Sequence, residues 1–434
     1  RLVGSEMCIR DRPLCSAPNF QMRQKFRLLL SRLSIPWVAA ACVLLSVVVF
    51  RNQGSQTAGC TAPYLSGAAN WHPFEEWKVD PGCVREMGQL PRAERTAHVF
   101  QPARDPATLV EFKSMDPGWM WSLWFSKAIF PFLGDLAGAV ALSLILHLLL
   151  GSTVFFLIRD PAQRGLFVLL YLANPLVVHV VTFPYYYAWQ AHASCAVLLL
   201  FLIPRERLLK VAPVIWSFLA LCVAVRPSVS LLVLGAAGWF VWHHRARWIA
   251  WAQVGLLLAA IFSLPKVNKP FWHTAYVGLG AYPNSHGLYL SDDMGREFSR
   301  QKLGVAWSAD VGGEFHDPEF RARYDAALRE ECMRIVREDP WLPLRNALLN
   351  TAVLFAWVYA PGAPFALHLA CAVLGVAIGI LLVRRRQWGA LVGTVLSSGA
   401  VAMFYPPIAA YVVGSYVFLA LGLIRSLLPD HEQA

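Results

Sequence analysis

Charged residues are scarce in this chain of 434 residues. Aspartate, glutamate, lysine and arginine together make up 15% of it, whereas an ordinary soluble domain carries about 25%. Hydrophobic residues make up 57%, and the sequence contains no low-complexity tract or internal repeat. This balance excludes a disordered chain, a disulfide-rich mini-protein and an ordinary soluble enzyme.

Ten apolar runs contain no Asp, Glu, Lys or Arg at all. They cover residues 35–50, 136–158, 165–183, 186–203, 211–225, 228–243, 248–264, 365–383, 388–405 and 407–424. A transmembrane helix needs about 20 residues, so the runs predict an all-α polytopic membrane protein with about ten spans. Ion-coupled transporters place ionisable groups at mid-membrane. Their absence here favours a site at the membrane–water boundary.

The net charge of +11 does not indicate a nucleic-acid-binding surface. The long polar stretches 51–134 and 265–340 are neutral or slightly acidic, and the basic excess lies in short segments beside the apolar runs. These segments are 23–32, 159–164, 205–210, 245–247, 384–386 and Arg425. All of them fall on one side if ten spans alternate, so the positive-inside rule predicts a cytoplasmic N-terminus and external polar stretches.

Residues 340–358 are a candidate eleventh span. Counting them would place 384–386 outside and break the charge rule. The segment also has two faces, with Arg345, Asn346 and Asn350 on one and Trp341, Leu344 and Leu348 on the other. We therefore expect a juxtamembrane helix on the outer face, and eleven spans remain the alternative.

The chain divides into seven segments on this basis. Residues 1–12 resemble a translated sequencing adapter, and Met22 is a candidate start. The segments are 1–21, an artefact or disordered N-terminus; 22–50, a basic flank and the first span; 51–134, the first external loop; 135–264, spans two to seven; 265–360, the second external region; 361–427, spans eight to ten; and 428–434, a tail.

Both external regions carry signals for short helices. The aromatic stretch 118–132 predicts an interfacial helix in the headgroup zone. In the second region, Ser291-Asp292-Asp293 and Asp317-Pro318-Glu319 predict two helix starts. The second of these helices has Phe320, Tyr324, Leu328 and Ile335 spaced for one buried face.

The nine cysteines form no CxxC or zinc-like spacing. Cys60 and Cys83 share the first external loop, and in an oxidising periplasm they could pair. The alternative is two free, partly buried thiols.

An acidic pair in the first loop is the main candidate for catalysis. Glu75 and Glu76 lie in an aromatic stretch that ends in Trp77, a composition that suits a sugar with apolar faces and hydroxyl groups. A carboxylate can also act as the general base on an acceptor hydroxyl. The alternative is a solvated acidic turn.

Three further places carry candidate residues. Asp116 and Trp119 close the first loop, where a turn and helix cap would explain the same residues. Arg226 ends the fifth span and could hold a lipid phosphate or act as a snorkelling anchor. In the second region, His273, Asp292 and Asp293 could bind substrate or a metal, or be structural.

The whole pattern resembles the GT-C superfamily of membrane glycosyltransferases. The similarity lies in a first span followed by a long external loop with an acidic pair, in Asp116-Pro117-Gly118-Trp119 before the second span, and in the Arg226-Pro227 step. It implies a GT-C-like bundle in a bacterial inner membrane with its active face external. It also implies transfer of a sugar from a polyprenyl-phosphate carrier to a glycan or lipid acceptor of the cell envelope.

The leading hypothesis is an inverting transferase. Glu76, Glu75 or Asp116 would be the base, and Arg226, Trp77, Trp119, His273, Asp292 and Asp293 would bind substrate. Arg226 or a divalent cation, Mg or Mn, would stabilise the leaving phosphate. The alternatives are a flippase or exporter of lipid-linked oligosaccharides and a catalytically silent membrane scaffold.

Overall fold

The computed structural model describes residues 39–47, 58–71, 77–112, 117–264, 270–308, 313–314, 317–356 and 359–429. These residues are mostly helical, and one two-stranded antiparallel sheet is found among them. The first helix, α1, is described over residues 39–47.

The first polar region folds into short helices around the sheet. Its helices are α2 (Ala58–Ala69), α3 (Pro81–Gln89), α4 (Arg92–Ala97) and α5 (Pro117–Ile129). Strand β1 (Lys78–Val79) pairs with β2 (Val110–Glu111), with Lys78 opposite Glu111 and Val79 opposite Val110. Helix α5 confirms the helix predicted for the aromatic stretch 118–132.

Apolar helices form the bundle that follows. They are α6 (Asp135–Leu157), α7 (Pro161–Phe167) continued by a π-helical turn (Val168–Leu172), α8 (Pro175–Val181), α9 (Ala188–Leu202), α10 (Arg205–Val225), α11 (Ser230–His243) and α12 (Trp248–Phe262). Helix α9 is buried on all sides from Ala188 to Leu200 and packs against α6, α10 and α11. It is the central helix of the core.

The second polar region contributes α13 (Phe271–Leu279), α14 (Asp292–Leu303), α15 (Pro318–Glu338) and α16 (Trp341–Phe355). Both predicted helix starts are confirmed, because Ser291 caps α14 and Asp317 caps α15 through side-chain oxygens that accept backbone N–H bonds. The face predicted for α15 is also buried: Phe320, Tyr324, Leu328 and Ile335 are at most 4% exposed.

Three further helical segments complete the bundle. They are α17 (Phe365–Arg384); α18 (Trp388–Thr394), which continues through a π-helical turn (Val395–Gly399) into α19 (Ala400–Phe404); and α20 (Ala409–Leu427). Helix α20 packs along the central α9. Peripheral helices expose large apolar side chains, such as Leu256 at 73% and Val373 at 65%, as expected of surfaces that face lipid.

Four of the described helices are long and apolar enough to cross a membrane: α6, α10, α17 and α20. The run predicted at 165–183 is not one straight helix, because Asn174 caps a new helix before Pro175 and the two parts are bent by 53°. This bent pair would make a fifth span, and several other apolar helices are shorter. The fold is therefore an all-α bundle of membrane-protein character, and the count of ten spans stays a prediction.

Helix α16 turns its polar side inward. Asn346 and Asn350 are at most 3% exposed, whereas Trp341, Leu344 and Leu348 are more than half exposed. Asn346 donates to the Leu279 carbonyl at 3.0 Å, and Asn350 accepts from the Tyr282 hydroxyl at 2.9 Å. The two predicted faces are confirmed, and the apolar one points away from the protein.

Contacts between the basic turns gather them at one end of the bundle. Arg205 donates to the His243 carbonyl at 2.9 Å, and Gln163 donates to the Leu428 carbonyl at 2.7 Å. Arg386 and Arg425 line one cavity with the ends of α9 and α11. We call this end, which holds Arg164, Arg205, Arg245, Arg386 and Arg425, the basic end.

Candidate functional site

At the opposite end of α10, an arginine is buried among tyrosines. Arg226 follows the last residue of α10 and precedes Pro227, which disfavours continuation of the helix. Its side chain is 5% exposed. The guanidinium carbon lies 4.7 Å from the ring centre of Tyr186, 5.4 Å from that of Tyr187 and 5.1 Å from that of Tyr411. We call Tyr186, Tyr187 and Tyr411 the tyrosine cage; such rings stabilise a cation through their faces.

The cage is built from distant parts of the chain. Tyr186 and Tyr187 lie in the turn between α8 and α9, and Tyr411 lies in the first turn of α20. Tyr405 stacks edge-on against Tyr411 at 5.2 Å. A tyrosine hydroxyl, with an ordinary pKa of about 10, stays protonated at neutral pH and can donate a hydrogen bond to an anion.

The first polar region packs directly against this site. A Cβ at Gly118 would lie 2.2 Å from the backbone carbon of Ala224, so only glycine allows α5 to approach the end of α10 so closely. Trp119 is 4% exposed, and its ring centre lies 6.3 Å from that of Tyr185. Its indole N–H is buried and has no hydrogen-bond partner among the described residues. Trp119 thus offers a donor beside the cage.

The second polar region brings a hydrogen-bonded carboxylate. His273 Nε2 donates to Asp292 Oδ1 at 3.2 Å, and His273 Nδ1 lies 2.8 Å from the Tyr324 hydroxyl. The bond from His273 lowers the pKa of Asp292. A Cβ at Gly295 would lie 2.4 Å from the Tyr324 hydroxyl, so the glycine makes room for this chain of bonds. The predicted residues His273 and Asp292 therefore do lie together.

Asp293 points elsewhere. It is 70% exposed and pairs with Arg296 at 3.3 Å, one turn along α14. Such an exposed pair contributes little to stability.

The two polar regions meet at the cage. Phe271 at the start of α13 contacts Phe404, with ring centres 5.1 Å apart. Tyr405 is the next residue in the sequence after Phe404. Tyr405 in turn contacts Tyr411 of the tyrosine cage, with ring centres 5.2 Å apart. On the other side, Thr61 of α2 donates to the Pro184 carbonyl at 2.6 Å.

A large aromatic cavity lies between α5, α6, α9 and α10. Its volume is about 900 Å³, within the range of ligand-binding cavities. The aromatic residues that line it are Trp71, Trp77, Trp121, Trp124, Phe125, Trp189 and Phe218. Trp71 and Trp77 stack with ring centres 5.5 Å apart. The cavity extends along α6 to Leu146, about 16 Å from the start of that helix. We call it the aromatic cavity.

The carboxylates predicted for catalysis, Glu75, Glu76 and Asp116, lie outside the described residues. Trp77, the neighbour of Glu76 in sequence, lines the aromatic cavity. Gly118, two residues after Asp116, contacts the segment that leads into Arg226. Within the described part of the chain, no group of three His, Cys, Asp or Glu side chains could hold a metal ion.

Cys83 is a free thiol in the structure. Its Sγ donates to Asp80 Oδ2 at 3.3 Å. Burial, and then the bond and charge of Asp80, raise the pKa of this thiol to about 11. The side chain of Cys60 lies outside the described residues, so the pairing of these two cysteines stays a prediction.

The tyrosines of the site were not predicted from the sequence. Three consecutive tyrosines, Tyr185 to Tyr187, were the available signal, because they stand at the end of an apolar run at the expected level of Arg226. Tyr411 and Tyr324 gave no local signal, since only the tertiary fold brings them to Arg226 and His273.

No protein-family model, curated protein or solved structure matches this chain.

Proposed function

We propose that this protein is a membrane glycosyltransferase of the GT-C type. It would move a sugar from a polyprenyl-phosphate carrier to a cell-envelope acceptor on the external face. The observation that carries the proposal is the buried guanidinium of Arg226 inside the tyrosine cage, at the place where both polar regions converge.

Arg226 and the cage suit a phosphate. A guanidinium can hold two phosphate oxygens through parallel hydrogen bonds, and its attraction is stronger where little water screens it. The cage hydroxyls, of which those of Tyr187 and Tyr411 hydrogen-bond to each other, and the indole N–H of Trp119 are groups that can donate to an anion. Together they would stabilise the charge that develops on a leaving phosphate.

The aromatic cavity suits the lipid chain of the carrier. Leu221, on its wall, precedes Arg226 by five residues, about 7.5 Å along a helix. A lipid whose phosphate lies at Arg226 could therefore place its first apolar units in this cavity. The tryptophans that line it are of a residue type enriched at the membrane interface.

The reaction would be a single inverting displacement. A base would take the proton of an acceptor hydroxyl, and that oxygen would attack the anomeric carbon. The bond from this carbon to the phosphate oxygen would break, and polyprenyl phosphate would leave with the electron pair. A divalent cation, Mg or Mn, remains a second way to stabilise that phosphate.

Asp292 is the weaker candidate for the base. A general base works best with a pKa near the working pH, and the hydrogen bond from His273 lowers the pKa of Asp292. Asp292 suits a role in holding sugar hydroxyls. We therefore assign the base to the first loop, with Glu76 before Glu75 and Asp116, because Trp71 and Trp77 hold both ends of the Glu75–Glu76 loop at the aromatic cavity.

The proposed topology has ten spans in a bacterial inner membrane, with the basic end in the cytoplasm and the tyrosine cage outside. Reporter fusions after residues 290 and 387 should give opposite signals. The same signal from both would exclude this topology.

Transfer from a polyprenyl-phosphate sugar to endogenous acceptors, measured in membranes, tests the function. Glu76→Gln should lower the rate by about 10²–10⁴, whereas Glu86→Gln, in the exposed part of α3, should leave it unchanged. If the wild type consumes no lipid-linked sugar, the flippase or scaffold alternatives are favoured. If the variants Glu76→Gln, Glu75→Gln and Asp116→Asn all keep full activity, Asp292 becomes the candidate for the general base. Loss of activity after removal of divalent cations with a chelator would show that the reaction needs the cation.

A further inference from the structure

A second cavity lies at the basic end, between α9, α11, α18 and α20. Its volume is about 520 Å³. Apolar side chains form its walls, among them Leu202, Trp239, Leu396 and Phe418. Gly389 lies on its surface, where a Cβ would meet nothing within 4 Å, whereas Gly235 and Gly393 allow close packing against Leu396 and Phe418. We call it the basic-end cavity.

Two arginines stand at its mouth. Arg386 and Arg425 both line the cavity and are exposed. None of the described residues that line it is acidic. No carboxylate in the described part of the chain lies within ion-pair distance of either arginine. The mouth is therefore positive, while the interior is apolar.

The backbone of Arg386 is unusual. Its φ of 53° lies in the left-handed region, which glycine adopts far more readily than residues with a side chain. The Arg386 N–H donates to the Val383 carbonyl and the Gln387 N–H to the Leu382 carbonyl, both at 2.9 Å. This pattern ends many helices, and its left-handed position is usually glycine. An arginine thus occupies a position that local structure would assign to glycine, and its side chain lines the cavity.

We propose that the basic-end cavity binds an anionic phospholipid. Arg386 and Arg425 hold the phosphate of the headgroup, and an acyl chain fills the apolar interior. Basic pockets between membrane helices are suited to such headgroups. The occupant is a lipid and not free phosphate, because the arginines open onto an apolar cavity that only a chain would fill. This site is separate from the tyrosine cage and does not depend on the proposed function.

The test uses the purified full-length protein in detergent and measures lipid binding by native mass spectrometry. The probes are phosphatidylglycerol and phosphatidylcholine with the same acyl chains. We expect the wild type to bind phosphatidylglycerol at least tenfold more tightly. Arg386→Gly and Arg425→Gln should each remove most of this preference. Gly389→Leu should weaken the binding of both lipids. A Cβ at Gly389 meets nothing within 4 Å, so the new side chain can occupy part of the cavity.

Matched controls separate binding from folding. Arg207→Gln removes an exposed arginine near the same end, and Gly255→Leu adds a side chain where a Cβ also meets nothing within 4 Å. Both should bind the two lipids as the wild type does. Arg386→Gly should not lower the melting temperature measured without lipid, since glycine suits that backbone.

Three results would overturn the proposal. The first is equal binding of the two lipids by the wild type. The second is an unchanged preference in Arg386→Gly combined with Arg425→Gln. The third is binding of glycerol phosphate as tight as that of phosphatidylglycerol, because the apolar cavity would then contribute nothing.

Discussion

The two ends of the helical bundle hold arginine in opposite ways. Arg226 is 5% exposed and enclosed by tyrosine rings, whereas Arg386 and Arg425 stand exposed at the mouth of a cavity. A buried charge is costly unless its surroundings compensate it, but an exposed arginine costs little. The difference indicates that Arg226 belongs to an enclosed site, while Arg386 and Arg425 present their charges to the surroundings of the protein.

The largest expected effect is on the rate of sugar transfer, which should fall when the buried Arg226 is replaced but not when an exposed arginine is replaced. Arg226→Gln should lower the rate of transfer about 10²–10³-fold, as loss of a donor to a developing charge does. Arg226→Lys should recover only part of it, because an ammonium lacks the planar fork. Arg207→Gln should keep the wild-type rate of sugar transfer. Equal loss in the two glutamine variants would mean that net charge, and not the cage, governs activity.

The reactivity of Cys83 tests which end faces outward. Because its raised pKa of about 11 keeps the thiol protonated, its alkylation at pH 8 should be roughly 100-fold slower than that of an ordinary cysteine and should rise steeply with pH. Asp80→Asn should speed it by removing one cause of the raised pKa.

Alkylation of intact cells with an impermeant maleimide, followed by mass spectrometry, measures this rate. Labelling only after reduction would establish that Cys83 is paired. Labelling only after lysis, with or without reductant, would place the first polar region in the cytoplasm and contradict the proposed topology.

Two glycine substitutions compare packing at the two ends. Gly118→Ala should destabilise the protein by about 1–3 kcal/mol, because its Cβ would meet the Ala224 backbone at 2.2 Å. Gly389→Ala should cost nothing, since its Cβ would meet open space. Thermal unfolding followed by tryptophan fluorescence measures both. Equal melting temperatures would contradict the close approach of α5 to α10.

The smallest expected effect concerns the second polar region. Asp292 is 71% exposed, so Asp292→Asn should change the free energy of unfolding by no more than about 0.5 kcal/mol. If Asp292 holds sugar hydroxyls, its loss should raise KM several-fold and leave kcat nearly unchanged. If the turnover rate instead falls about a hundredfold or more, Asp292 is the base.

Local signals account for the parts of the fold that the sequence predicted correctly. Ser291 and Asp317 cap helices because a side-chain oxygen within two or three residues satisfies the first amides. The buried face of α15 follows from spacing alone. Asn174 and Pro175 are an equally local signal for the break in the run 165–183. The break was not predicted, because the run is hydrophobic throughout.

The site itself depends on contacts that no local pattern contains. Arg226 could be predicted as a site residue from the sequence, because it is a charged residue directly at the end of an apolar run. Its partners Tyr187 and Tyr411 are more than 200 residues apart in sequence, and tyrosines at helix ends are common. The pairing of His273 with Asp292 was likewise decided by the packing of α13 against α14.

Binding of a polyprenyl phosphate and of the matching polyprenol tests the central claim most directly, because the two ligands differ only in the phosphate. The purified wild type should bind the phosphate at least tenfold more tightly than the alcohol. Arg226→Gln should abolish this preference while still binding the alcohol, and Arg207→Gln should retain it. An unchanged preference in Arg226→Gln would contradict the assignment of the tyrosine cage as the phosphate site.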